Sequence, residues 1–429
     1  MYNVKLAQRP PVLLARLRER GNGGEGNDQG AVDSSFRVAC AMIVRHKAGV
    51  AFAATVFANA PPAYGADNTD ARGTDLNFSG YYKNLLIKSD TVFPGKEPYT
   101  LDLNRLRLEL KGKVSEAIAL DIQYDNEVLL GSYLHTAQFQ MQKDQMPDQY
   151  WKGQANYAET NSYYGQHRLY RGSITASSGE TDVRIGRQRI AWGTGRFWSP
   201  LDILNPFSPI QLEREERVGV DAVLVEHKLG PLSRVSAVYA PQHNRSDSST
   251  ALQWHGNAAG VDYSVVGGRF RGERVVGLDV ASQIGDAGIR AELTSAQRDA
   301  APDYSRAVAG LDYAFPNTLT LSGEFYYNGA GASDTQTYDF ASLFAGRIQN
   351  LARRYVGAYA GYEITPLIKW NNYLVTNLFD HSRYFLTSLI YSIKTNLDWA
   401  VGVQFFRGGN GSEYGRFNDV YFTQLQWFF

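Results

Sequence analysis

The residues best placed to act on a solute gather in one segment, Val183–Pro209 (VRIGRQRIAWGTGRFWSPLDILNPFSP). Arg184, Arg187 and Arg189 crowd its start, and Arg196 and Asp202 follow. The charge run Glu213-Arg214-Glu215-Glu216-Arg217 comes just after it. Fixed guanidinium and carboxylate groups at a constriction select ions and charged solutes. The same charges, paired with one another, would instead form a salt-bridge network that fills an interior. In an extended chain Arg187 and Arg189 share one face, and Arg184 takes the other unless a bulge near Gly186 shifts it. Other chemistry is thinly supplied. Trp192–Gly195 carries two glycines in the manner of a phosphate loop, but no Lys-Ser/Thr and no helix follow. His135, His167, His227, His243, His255 and His381 are scattered, without metal-ligand spacing. Asp380-His381-Ser382 is a turn composition rather than a triad geometry. The sequence predicts no enzyme, no catalytic residue, no metal and no cofactor.

What must position these charges is a succession of short strands. Period-2 alternation runs from residue 75 onward. Leu106, Leu108 and Leu110 alternate with Arg105, Arg107, Glu109 and Lys111, and Ile118, Leu120, Ile122 and Tyr124 with Ala119, Asp121, Gln123 and Asp125. One face is apolar and the other is largely charged. A soluble sandwich buries its apolar face, whereas a transmembrane barrel turns that face to lipid and lines a watery interior with the polar one. Strand-like runs recur along the entire chain, tight turns alternate with longer polar loops, and aromatics cluster near strand ends. These features favour the barrel.

Composition agrees by exclusion. With 27 Tyr, 41 Gly and a mean hydropathy of −0.34, the chain has no apolar run near the ~18–20 residues of a spanning helix. Its one cysteine, Cys40, excludes a disulfide scaffold, and 13% aromatics do not suit a disordered chain. The apolar stretch Ala48–Ala60 follows Arg45, His46 and Lys47 and precedes a small-residue cleavage box, best placed at Ala63-Tyr64-Gly65. This is the pattern of a secretory signal peptide. Such peptides begin at the N-terminus, so Met42 is the expected start. Residues 1–41 read as a mis-assigned upstream extension, 42–66 as the signal and 67–429 as the barrel. Residues 1–66 hold eight of the 43 basic and four of the 43 acidic residues, leaving a net charge near −4 and no cysteine.

Eighteen strands are expected, at 75–88, 99–112, 116–129, 166–176, 181–192, 217–228, 232–241, 250–257, 261–270, 274–284, 288–297, 304–314, 318–328, 354–364, 367–379, 383–394, 397–407 and 416–429. Sixteen is the alternative, with Thr250–Asn257 the weakest member. The tight turns Ser177–Glu180, Leu229–Pro231, Ile284–Ala287, Phe315–Asn317 and Thr365–Pro366 should share the periplasmic rim. Leu130–Gly165 reads as an extracellular loop. Residues 193–216 form a long loop that can fold into the lumen, where protein can satisfy its backbone. Ala330–Arg353 carries Phe340, Leu343, Phe344, Ile348 and Leu351 at helical spacing, which predicts a short helix packed on the barrel mouth rather than a plug.

The last nine residues, YFTQLQWFF, place Tyr421, Thr423, Leu425, Trp427 and Phe429 on one face. This resembles the terminal strand of bacterial outer-membrane barrels. That resemblance implies that Tyr421, Leu425, Trp427 and Phe429 are read by the barrel-assembly machinery, with outer-membrane lipid as the surroundings. Gly186-Arg187-Gln188-Arg189 is similar to a strand of the alginate-export family, an eighteen-stranded group with a basic pore for an anionic polysaccharide. The expected function is a Gram-negative outer-membrane channel of porin type for small polar or anionic solutes, with no nucleic-acid partner. Arg105, Arg107, Asp121, Arg184, Arg187, Arg189, Arg196, Asp202, Glu213 and Arg214 are its candidate constriction. Export of an anionic polysaccharide and a non-conducting structural or adhesive barrel are the alternatives. Outward apolar stripes suit lipid or a second subunit alike, so the number of subunits stays open.

Overall fold

The computed structural model describes residues 74–144, 149–213, 219–299, 301–344, 346 and 348–429. The expected leader and Arg214 lie outside the described residues. Among these residues, nineteen strands form one antiparallel sheet. In chain order they are β1 (Asp75–Asp90), β2 (Pro98–Ser115), β3 (Ile118–Leu130), β4 (Gln154–Glu159), β5 (Tyr163–Ser178), β6 (Thr181–Gln188), β7 (Val220–Gly230), β8 (Ser233–Ala240), β9 (Ser249–Ala258), β10 (Val261–Phe270), β11 (Glu273–Ile284), β12 (Ala287–Gln297), β13 (Tyr304–Ala314), β14 (Thr320–Asn328), β15 (Arg354–Thr365), β16 (Ile368–Asn377), β17 (Arg383–Lys394), β18 (Leu397–Arg407) and β19 (Val420–Phe428). Among the described residues, two short helices, α1 (Ala137–Gln142) and α2 (Phe340–Phe344), lie in the loops.

β1 pairs with β2 on one side and with β19 on the other, so the sheet closes into a ring of eighteen strands. Closure leaves the ring itself no free sheet edge, the condition for a strand structure in a medium that offers backbone groups no partner. All eighteen expected strands are present, including β9 over the segment whose alternation is weakest.

The strand absent from the expectation is β4, inside what read as an extracellular loop. The lower half of β5 pairs with β6, from Gly172↔Arg187 to Ser178↔Thr181. Its upper half pairs with β4, from Gln154↔Arg168 to Glu159↔Tyr164. β6 ends at Gln188, and β4 supplies the upper part of β5 with a partner where β6 has ended.

Alternation sorts every strand into two faces. Val276, Leu278 and Val280 of β11 are 63%, 44% and 37% exposed, whereas Asp279 between them is buried. The same holds for Ile174, Ile185, Leu252, Leu293, Phe325 and Leu389, exposed and outward, against Ser173, Gln253, Glu292, Glu324 and Gln404, buried and inward. This is the inverted pattern of a barrel whose apolar side meets lipid. Trp254, Tyr362, Trp370, Tyr391 and Trp399 lie outward towards the tight-turn rim, at the position of an interfacial aromatic girdle. That rim carries all five expected tight turns and both ends of the described chain. The long connections sit at the opposite mouth. There α2 is one turn long and packs Phe344 against Phe93 and Phe417 of neighbouring loops, which matches a helix on the mouth.

Candidate functional site

Between β6 and β7 the described chain leaves the wall and crosses the lumen as a strap. Its described part, residues 189–213, touches widely separated strands. Trp192 packs on Phe270 of β10, Phe197 and Trp198 lie against β14, β15 and β16, Ile210 meets β18, and Glu213 reaches β1 and β2. Apolar side chains hold most of it. Ile190, Trp192, Leu201 and Leu204 pack on the small inward residues Ala222, Ala240, Ala251 and Ala296, and Trp198 stacks on Tyr326 with ring centroids 5.2 Å apart. Inward alanines on β7 to β12 make room for this packing, so that part of the lumen is core and not water.

Two wall carboxylates grip the strap by its backbone. Glu292 of β12 accepts the N–H groups of Thr194 (2.6 Å), Gly195 (2.5 Å) and Leu201 (3.1 Å), and the Ser199 hydroxyl. Glu324 of β14 accepts those of Arg196 (2.6 Å), Phe197 (2.7 Å) and Trp198 (3.3 Å), with Arg290 Nε at 2.8 Å on its other side. Successive backbone amides make an anion-binding concavity. The glycine-bearing stretch that resembles a phosphate loop therefore does bind an anion, the protein's own carboxylates. Gly195 is required there, since a Cβ would lie 1.8 Å from the Trp198 carbonyl oxygen.

The far end of the strap is held by ions. Glu213 accepts from Lys83 Nζ at 2.9 Å and from both terminal nitrogens of Arg105 at 2.8 and 3.0 Å. Burial alone would raise the Glu213 carboxyl, but Arg105 and then Lys83 outweigh it and hold it near 2. Arg105 also binds Glu127, Arg107 binds Asp125 through two bonds of 2.6 and 2.8 Å, and Arg168 reaches both carboxylates. Arg107 lies over the Tyr170 ring, 3.7 Å from its centroid. The inward wall of β1, β2, β3 and β5 is thus a sheet of alternating cations and carboxylates, beside the point where the strap arrives.

The expected constriction residues separate into groups. Arg105, Arg107 and Glu213 come together as described. Asp121 faces inward on the same wall and accepts from Gln123. Arg184 faces inward on β6 and donates to Thr175. Arg196 is exposed on the strap, 3.5 Å from Asp312, which also pairs with Arg290. Arg189 is exposed and Asp202 buried, both on the strap. Arg187 is a correction. It shares its strand face with the outward Ile185, not with the lumen, and is 1% exposed. Its guanidinium binds Asp221 twice, at 2.9 and 3.1 Å, and the carbonyls of Leu169 and Trp151. It fastens the wall where β6 ends and the segment leading into β4 passes, so no solute in the lumen meets it.

Lys83, Glu127, Arg168, Arg290, Glu292 and Glu324 did not stand out in the sequence. Each is a charged residue at an inward position inside a strand, and that is the signal by which they could be found. Among the described residues no group of three His, Cys, Asp or Glu side chains could hold a metal.

At the mouth, Glu413 is buried and accepts from Tyr355 Oη (2.7 Å), Asn377 Nδ2 (2.9 Å) and the Leu351 N–H (3.1 Å). Asp380 accepts from the Glu413 and Ser382 N–H groups and from Tyr338 Oη. Three mouth loops meet at this pair. Burial pushes the Glu413 carboxyl up to about 7, with Asp380 adding to the rise.

Solved structures share this architecture. Pseudomonas aeruginosa OccK8 (OprE) matches 83% of this chain and 99% of its own at 11% identity, with a TM-score of 0.53. The outer membrane protein OpdK of the same organism matches 83% of this chain and 98% of its own at 10% identity, with a TM-score of 0.51. The fold is that of an outer-membrane β-barrel. No family model and no curated protein matches the sequence. The four-residue likeness to the alginate-export family therefore remains a likeness of one strand.

Proposed function

We propose that the chain is an outer-membrane channel for passive passage of small polar solutes, with carboxylates among those it favours. The observation that carries this reading is the crossing of the strap, which narrows a charged lumen and ends on Lys83 and Arg105 through Glu213. A rigid constriction with fixed charges on one side needs no energy input and no chemical step. Arg105, Arg107, Asp121, Arg184, Arg196, Asp202 and Glu213 form or support that constriction. Arg107, Arg168 and Arg171 gather around the Tyr170 ring and place positive charge on this part of the wall, which favours a passing carboxylate. Most are already paired with wall carboxylates, so the preference is modest and single anions are not trapped. OpdK has been crystallised with vanillate, a carboxylate, which supports the same solute class.

Planar-bilayer recording tests the proposal. Stepwise currents are expected, with a reversal potential in a salt gradient displaced towards the anion. Silent bilayers with correctly folded protein refute the channel, and a displacement towards the cation refutes the solute preference.

A further inference from the structure

Arg383 and Arg407 are direct cross-strand partners on β17 and β18, and both are exposed. Two residues further into the wall, Phe385 and Phe405 face each other on the same outward side with stacked rings, centroids 6.3 Å apart. Like charges set directly opposite one another weaken a sheet unless a counter-charge joins them. Asp419 joins one of the pair, accepting two bonds from Arg407 at 2.6 and 2.9 Å. Among the described residues no carboxylate meets Arg383. None meets Arg354 either, which is exposed at the mouth end of β15.

Spacing fixes the height of these three arginines. Arg354 stands eight residues from Tyr362 on β15, Arg383 eight from Tyr391 on β17, and Arg407 eight from Trp399 on β18. Eight residues span about 27 Å along a strand. With the usual tilt of 35–45° that is roughly 20 Å of height, close to the apolar band of such barrels. Between the two levels the outward face offers Val356, Leu374, Phe385, Leu389 and Val401, all exposed. Aromatic residues mark one boundary of the band and three arginines the other, where lipid headgroups lie.

We propose that Arg354, Arg383 and Arg407 form a binding site for the phosphate groups of an outer-leaflet lipid, whose acyl chains lie on the apolar residues beneath. Planar guanidinium forks match phosphate oxygens two at a time, and an anion between Arg383 and Arg407 removes their mutual repulsion. The site rests on the outer-membrane placement proposed above and not on conduction, since all three side chains point away from the lumen.

Native mass spectrometry of the full chain in detergent tests it, with lipid A and the same lipid stripped of its phosphates as probes. Retention of phosphorylated lipid is expected to exceed that of the stripped lipid at least tenfold. It should fall at least tenfold in the variant Arg354→Ala/Arg383→Ala/Arg407→Ala, and Arg→Lys at the same positions should restore part of it. Millimolar inorganic phosphate should leave the lipid in place. Equal retention of the two lipids by the unaltered chain overturns the site without recourse to any variant. Undiminished binding by a folded alanine variant also overturns it, and displacement of the lipid by inorganic phosphate replaces the lipid with a free ion. Silent bilayers with this lipid pattern intact would sink the channel and leave the site standing.

Discussion

The two ends of the strap are held to the wall by opposite chemistry. Near residues 194–201 the wall supplies carboxylates, Glu292 and Glu324, and the strap supplies backbone amides. At residue 213 the strap supplies the carboxylate and the wall supplies cations. The first grip depends on chain shape, and the side chains it needs on the strap are small ones, Gly195 and Ser199. The second depends on charge and on the identity of one side chain. A shape-dependent grip fails when the acceptor is removed or the turn is distorted, and a charge-dependent one fails when an ion is neutralised.

The largest effect should come from breaking the amide grip. Glu292→Ala with Glu324→Ala leaves six N–H groups without acceptors, three of them buried (Phe197, Trp198 and Leu201), at about 1–3 kcal/mol for each that finds no water. The strap should then become cleavable by protease near residues 194–201, and single-channel current should rise and become noisy. A current trace and cleavage pattern like those of the unaltered protein would show that apolar packing and the Glu213 ion pairs hold the strap without the amide grip. Next in size is Gly195→Ala, which drives a methyl group into the Trp198 carbonyl and should cost about 2–3 kcal/mol, read as a lower urea midpoint. Glu213→Gln should cost less, about 1–2 kcal/mol, because Arg105 keeps Glu127. Its signature is electrical: one negative charge leaves the lumen, so reversal potential should move further towards the anion. Arg196→Ala closes the series at under about 1 kcal/mol, since its pairing with Asp312 is largely exposed to water.

Titration separates the charged grip from the mouth. Glu213 is held near 2, below the ordinary carboxyl value of 4.5, so its contribution is present above pH 4.5 and is lost as pH falls from there through 2. Glu413 is raised to about 7, so its contribution is present below pH 4.5 and is lost as pH rises through 7. Hydrogen exchange should therefore show the mouth loops around Glu413 loosening between pH 6 and pH 8.5 while the strap stays protected. Glu413→Gln should abolish that dependence, and a mouth equally protected at both pH values would refute the assignment.

Much of this architecture was readable beforehand, and the reason is the same alternation throughout. A lipid-facing strand must be apolar on every second residue, so all eighteen wall strands announce themselves, even β9 with its Gly, His and Trp. β4 does not, because it pairs on one side only and lies where the sequence shows Gln, Asn and Tyr in no strict order. The inward course of 193–213 is legible in the loss of alternation between two strands. The charged grip was partly readable, since Glu213, Arg105 and Arg107 stand out as charges. The amide grip was not, because a backbone N–H carries no residue identity. Arg187 was misread because its side chain crosses into the wall's own seam, where the register of its strand places it with Ile185.

The strap has a consequence for the order in which the molecule is made. Its hydrogen-bonding partners Glu292, Glu324 and Gln404 come 97, 128 and 194 residues after the strap residues they meet. Those strands are synthesised later, and the ring closes only when β19 finds β1. The strap's contacts therefore tie together strands far apart in the chain, and the last of them are available only to a chain that has reached the correct circumference.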